Sequence, residues 1–192
     1  MMKKISGTFP CTLTNDVPVK SHAFAFDVQQ FLAESTFLYR DTDLDPKTRQ
    51  LYQTARLFRD PNLLVATNKF GGLNGNTRFL IVTTQMREIA NLAEHIDWGL
   101  CVLERNGLFK IIDHQSDAEF HQITLIHIPH ELDHYFRSQE SSQLEIQLIA
   151  ATRLQFKTAF ELAPCFELVS PFWRERTAWP LGLNNEGHLL RA

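Results

Sequence analysis

The sequence predicts an α+β fold, and three local patterns support that. Helix-start chemistry recurs: Asp45-Pro46 sets a capping carboxylate before a proline at the first helical position, and Ser142-x-x-Glu145 is a capping box. Asn106-Gly107, between the apolar runs 98–104 and 108–113, is the pair favoured in a type I′ hairpin turn, where both central residues need positive φ. Residues 122–128 are apolar at both parities, as suits a strand covered on two faces. Helices packed on a sheet that is at least partly antiparallel give α+β rather than a doubly wound fold.

Element by element, a first helix is expected from Asp27, with Gln30 completing a capping box and Val28, Phe31, Leu32 and Leu38 on one face. A second follows Asp45-Pro46, striped by Leu51, Ala55 and Phe58 and ended by Asp60-Pro61. Gly71 to Asn76 reads as a surface loop, and Arg78 to Thr83 as a buried strand. Thr84 caps a third helix carrying Met86, Ile89, Ala90, Ala93 and Ile96. The Asn106-Gly107 hairpin and the central 122–128 strand follow, and Pro129 can open a short helix. A long helix then runs from Ser142 to about Leu162. Its apolar residues, among them Leu144, Leu148, Leu154 and Phe160, surround most of the circumference, so it should be buried on more than one side. From Pro164 an irregular tail lays Phe172, Trp173 and Trp179 over the core, with Arg174 and Arg176 reaching water. The expectation is one domain over 1–192 with a mostly antiparallel sheet of four to five strands. Residues 1–65 are a candidate helical N-terminal subdomain.

Composition narrows the function classes. With 192 residues, 44% hydrophobic content and fifteen Phe, the chain can build a full core. Its formal charge is −3, with no dense Lys/Arg run, so it carries no electrostatic footprint for nucleic acid. Cys11, Cys101 and Cys165 are distant and form no C-x-x-C, which fits small buried hydrophobes in a reducing compartment. Nothing reads as a signal peptide or a membrane span, so a cytoplasmic location with no membrane partner is expected.

One short run carries a catalytic pattern. His130-Glu131-Leu132-Asp133-His134 reads H-E-x-x-H, which on a helix turns both imidazoles to one face around a zinc ion. These five residues resemble the active-site helix of the zincin metallopeptidases. The resemblance implies His130 and His134 as ligands, Glu131 as general base, and a carboxylate on the following helix as third ligand, with Glu161 preferred over Glu145. Tyr135-Phe136-Arg137-Ser138 follows the pair and excludes the metzincin continuation. The macrodipole alone also favours Glu131 and Asp133 at a helix start. His127, on the preceding strand, is expected as a hydrogen-bonded core histidine. Asp41, Asp43 and Asp45 begin like a calcium loop, but Pro46 and Tyr52 stand where glycine and glutamate are required. Cys101 is expected to be buried and inert.

Two functional expectations follow. The leading one is a non-catalytic cytosolic protein, without cofactor, that binds an unidentified protein or small molecule. The alternative is a zinc-dependent metallohydrolase acting on peptide or amide bonds.

Overall fold

A computed structural model of the chain describes residues 28–89, 96–138 and 142–192. Asp27, Ala90, Ala93 and Cys11 lie outside the described residues. The N-terminal helix α1 (Val28–Glu34) leads into strand β1 (Thr36–Thr42), so Leu38 belongs to the sheet rather than to the helix. Asp45 caps α2 (Pro46–Thr54) as expected, accepting from the backbone N–H of Lys47 and Thr48 at 2.9 and 3.1 Å. That helix stops at Ala55, whose backbone is extended, and Phe58 enters β2 (Leu57–Asp60). Next come β3 (Leu64–Thr67), β4 (Thr77–Thr83), the two-residue β5 (Arg87–Glu88) and β6 (Leu100–Leu103). Beyond them lie β7 (Gly107–Asp117) and β8 (Phe120–Ile128). Three helices complete the order: α3 (Asp133–Arg137), α4 (Ser142–Ala159) and α5 (Pro171–Thr177).

The strands form one mixed sheet of eight, ordered β2-β7-β8-β4-β1-β3-β6-β5, in place of the expected four or five. β4 and β8 run parallel, and the remaining pairs are antiparallel. The described part of the 1–65 segment contributes β1, β2 and the start of β3 to this sheet, besides α1 and α2.

Alternation along the strands separates two cores. On one face Leu38, Phe79, Ile81, Ile123 and Leu125 cluster with Tyr52 of α2. Phe58 of β2 and Leu103 of β6, near opposite ends of the strand order, join the same cluster, so the sheet curls around it. On the other face Tyr39, Leu80, Val82, Ile126 and Ile128 pack against Phe31 of α1, Phe136 of α3, and Leu144 and Leu148 of α4. β8 is therefore covered on both sides, as its sequence indicated.

Three expectations are corrected. The Asn106-Gly107 hairpin does not form: Asn106 takes φ +62°, but β6 pairs with β3 and β5, while β7 pairs with β2 and β8. Gly107 is already in register with Asp60 of β2, so its backbone serves that ladder instead of a tight turn. The helix expected from Thr84 gives way to β5, in register with Val102 and Cys101. Helix α4 is buried on one face only, through Leu144, Leu148, Thr152, Phe156 and Ala159; Ile146 and Leu154 are 65% and 67% exposed. No helix among the described residues is long and apolar enough to cross a membrane.

Candidate functional site

The HELDH run does not build the expected metal site. His130 to Leu132 form a 3-10 turn, and α3 starts only at Asp133 after Leu132 breaks the helix at φ −104°, ψ 3°. The i, i+4 register that would stack two imidazoles needs an unbroken α-helix. His130 and His134 are both exposed. Glu161 lies past the end of α4, and Glu145 is paired with Lys110 Nζ at 2.6 Å. Among the described residues no three His, Cys, Asp or Glu side chains come together as metal ligands. Glu131 instead faces Gln85, whose Nε2 donates to Glu131 Oε1 at 3.3 Å.

That contact adjoins a pocket of about 550 Å³, where the ends of β4, β6 and β8 meet β5. Gln85 and Met86 line it from the β4–β5 connection, Arg87 from β5, Val102 and Leu103 from β6 with Glu104 and Arg105 just past it, His127 from β8, and Leu63 from the β2–β3 connection. At its floor Thr83 fixes the state of His127. The Thr83 hydroxyl donates to Gln85 O at 2.9 Å and accepts from Gln85 N at 3.0 Å. Its one proton is thus spent, so His127 Nδ1, 3.0 Å away, must be the donor to Thr83 Oγ1. His127 Nε2 is then a bare acceptor, buried and without a partner among the described residues. Burial pushes the imidazole down to about 4, so it is neutral near pH 7. The core-histidine expectation holds, with the imidazole in a pocket floor. The rim is charged: Arg87, Glu104 and Arg105 are exposed, and no hydrogen bond or ion pair engages their side chains among the described residues.

A second pocket, of about 380 Å³, shares Leu63 with the first. Its wall includes Arg40, Asp60, Arg176, Trp179 and Asn185. Arg40 is nearly fully buried. Its Nη1 and Nη2 hold the carbonyls of Val65 and Trp179 at 2.8 and 2.7 Å, and its Nε has no partner among the described residues. Burial lowers Arg40 to about 10 against the opposing pull of Asp60, and burial likewise raises the Asp60 carboxyl. Arg176 Cζ lies over Phe172, 4.4 Å from the ring centroid, and the side chain forms no ion pair among the described residues. The tail does cap the core as expected through Trp173, 2% exposed, but Trp179 stays 52% exposed at the pocket mouth.

Sequence reading missed Arg40, Asp60, Arg87, Glu104 and Arg105. Arg40 left a usable signal, a cation in the apolar run Phe37-Leu38-Tyr39, and assigning Leu38 to a helix hid it. Cys101 is buried as expected, and its thiol is pushed up to about 11 by burial.

No family model and no curated relative matches the chain. Among solved structures, HopU1, an ADP-ribosyltransferase of Pseudomonas syringae pv. tomato DC3000, is 19% identical over 49% of this chain and 45% of its own, with a TM-score of 0.43. The C3larvin toxin, an ADP-ribosyltransferase from Paenibacillus larvae, is 11% identical over 50% and 62%, at 0.41. The catalytic domain of VahC from Aeromonas hydrophila is 12% identical over 48% and 60%, at 0.38. This chain spans about half the length of the chains it matches, and at these scores the likeness concerns part of the fold. One finding corrects the zinc reading: among the described residues its three expected ligand side chains do not converge.

Proposed function

We propose that this chain transfers ADP-ribosyl groups from NAD, with the pocket rimmed by Arg87, Glu104 and Arg105 as its donor site. One observation carries the reading: two guanidinium groups and a carboxylate, all without partners among the described residues, border a single pocket. Free guanidinium edges suit the two phosphates of a dinucleotide. Cleaving the bond between ribose C1′ and nicotinamide builds positive charge on the sugar, which a carboxylate such as Glu104 would stabilise. Leu63 and Met86 supply apolar wall, and the volume falls within the usual span of small-molecule sites. The similar structures are ADP-ribosyltransferases and suggest the reaction to test; the support for it here is the chemistry of the pocket.

The test is calorimetric titration with NAD alongside chromatographic detection of released nicotinamide. Arg87→Ala and Arg105→Ala should each weaken NAD binding about tenfold. Glu104→Gln should bind NAD normally and release nicotinamide about 100-fold more slowly, the scale of losing one electrostatic stabiliser. Wild-type protein that neither binds millimolar NAD nor releases nicotinamide would sink the reading.

A further inference from the structure

A transfer reaction needs a second subsite for the acceptor, and the second pocket meets the first at Leu63. We infer, resting on the proposed donor site, that this second pocket receives the acceptor and that the acceptor is a side-chain carboxylate of a partner protein.

The charges facing the pocket favour an anion. Arg40 and Arg176 both line it, against the single carboxylate of Asp60, so the lining carries a net positive charge. A cationic acceptor, arginine or lysine, would meet two guanidinium groups at low local dielectric and be repelled. Arg176 is pre-organised for a carboxylate: its Cζ lies 4.4 Å from the Phe172 ring centroid and 6.0 Å from that of Trp98, and no hydrogen bond engages its N–H groups among the described residues. Leu63 and Trp179, 47% and 52% exposed, give the rim the apolar and aromatic character of a protein-docking surface.

The step balances without an added base. A carboxylate oxygen attacks C1′ as the bond from C1′ to the pyridinium nitrogen breaks. The electron pair leaves with nicotinamide, which becomes neutral, and the acceptor's negative charge is consumed in the new ester.

The experiment uses the full chain, labelled NAD and two peptides that differ only in carrying glutamate or arginine at one position. Label should favour the glutamate peptide and be released by neutral hydroxylamine, as an acyl ester is. Arg176→Gln should lower transfer to that peptide about tenfold, the scale of a lost charge-assisted contact. Nicotinamide release without peptide, which does not use Arg176, should stay at the wild-type rate and report that the variant is folded. Label favouring the arginine peptide, or undiminished transfer by Arg176→Gln, overturns the acceptor assignment and leaves the donor site standing. No nicotinamide release from wild-type protein overturns both.

Discussion

Asp41 and Arg78 close a two-point ion pair across β1 and β4, Nε to Oδ1 at 2.6 Å and Nη2 to Oδ2 at 2.7 Å, with both side chains almost fully buried. Two further Arg78 N–H groups, on Nη1 and Nη2, hold the carbonyls of Gly71 and Gly72 at 2.9 and 3.0 Å, and Asp41 Oδ2 also accepts from Asn74 N. The glycine-rich segment expected as a surface loop is thereby tied into the protein. A Cβ on Gly72 would sit 2.2 Å from the Leu162 carbonyl oxygen, so only glycine fits where the loop meets the end of α4.

Removing Arg78 should therefore cost far more than a surface pair would. Arg78→Ala leaves the Asp41 carboxylate buried without its counter-ion and two backbone carbonyls unsatisfied, an expected loss of about 3–5 kcal/mol. Urea unfolding measures it. A loss below about 1 kcal/mol, the ceiling for an exposed pair, would mean the pair is hydrated in solution.

His127 should make stability depend on pH in a defined window. Its folded value of about 4 lies below the ordinary 6.5, so the unfolded chain binds the proton more tightly. The stability conferred by neutral His127 is complete above pH 6.5 and is lost as pH falls toward 4. At 1.36 kcal/mol per unit the loss totals about 3 kcal/mol. Unfolding free energies at successive pH values should decline less steeply in His127→Gln than in wild type over that window. Parallel profiles would show that the imidazole is solvated in the folded protein.

The surface histidines should matter little. A His130→Ala/His134→Ala variant is expected to unfold within about 0.5 kcal/mol of wild type, the usual range for surface positions away from special contacts. Added zinc should raise the melting temperature of neither protein. A zinc-dependent rise in wild type that the variant lacks would restore a metal role to the pair.

How much was legible in the sequence differs from residue to residue. Asp45 was read correctly because its carboxylate reaches only Lys47 and Thr48. The doubly covered character of β8 was read from its own side-chain alternation. Asn106 does take positive φ, yet the hairpin inferred from it was wrong, since a residue's preferred φ does not select which strands pair. The HELDH motif failed similarly. Five residues carried the right types, but Leu132 left the helical region and broke the i, i+4 register. The candidate donor site was illegible because Arg87, Glu104 and Arg105 come from β5 and the end of β6. Their approach depends on β6 pairing with both β3 and β5.

The sequence by itself determined the α+β class, the capped start of α2, the buried strands β4 and β8, and the absence of a basic surface run. These rest on interactions within a few residues or on the parity of apolar side chains. The tertiary structure alone decided the strand order, the parallel pairing of β4 with β8, the burial of Arg40 and the pockets that meet at Leu63. Backbone N–H and C=O groups are the same in every strand, so pairing partners are chosen by the burial the whole chain can achieve, and that choice brings distant charged residues to one pocket.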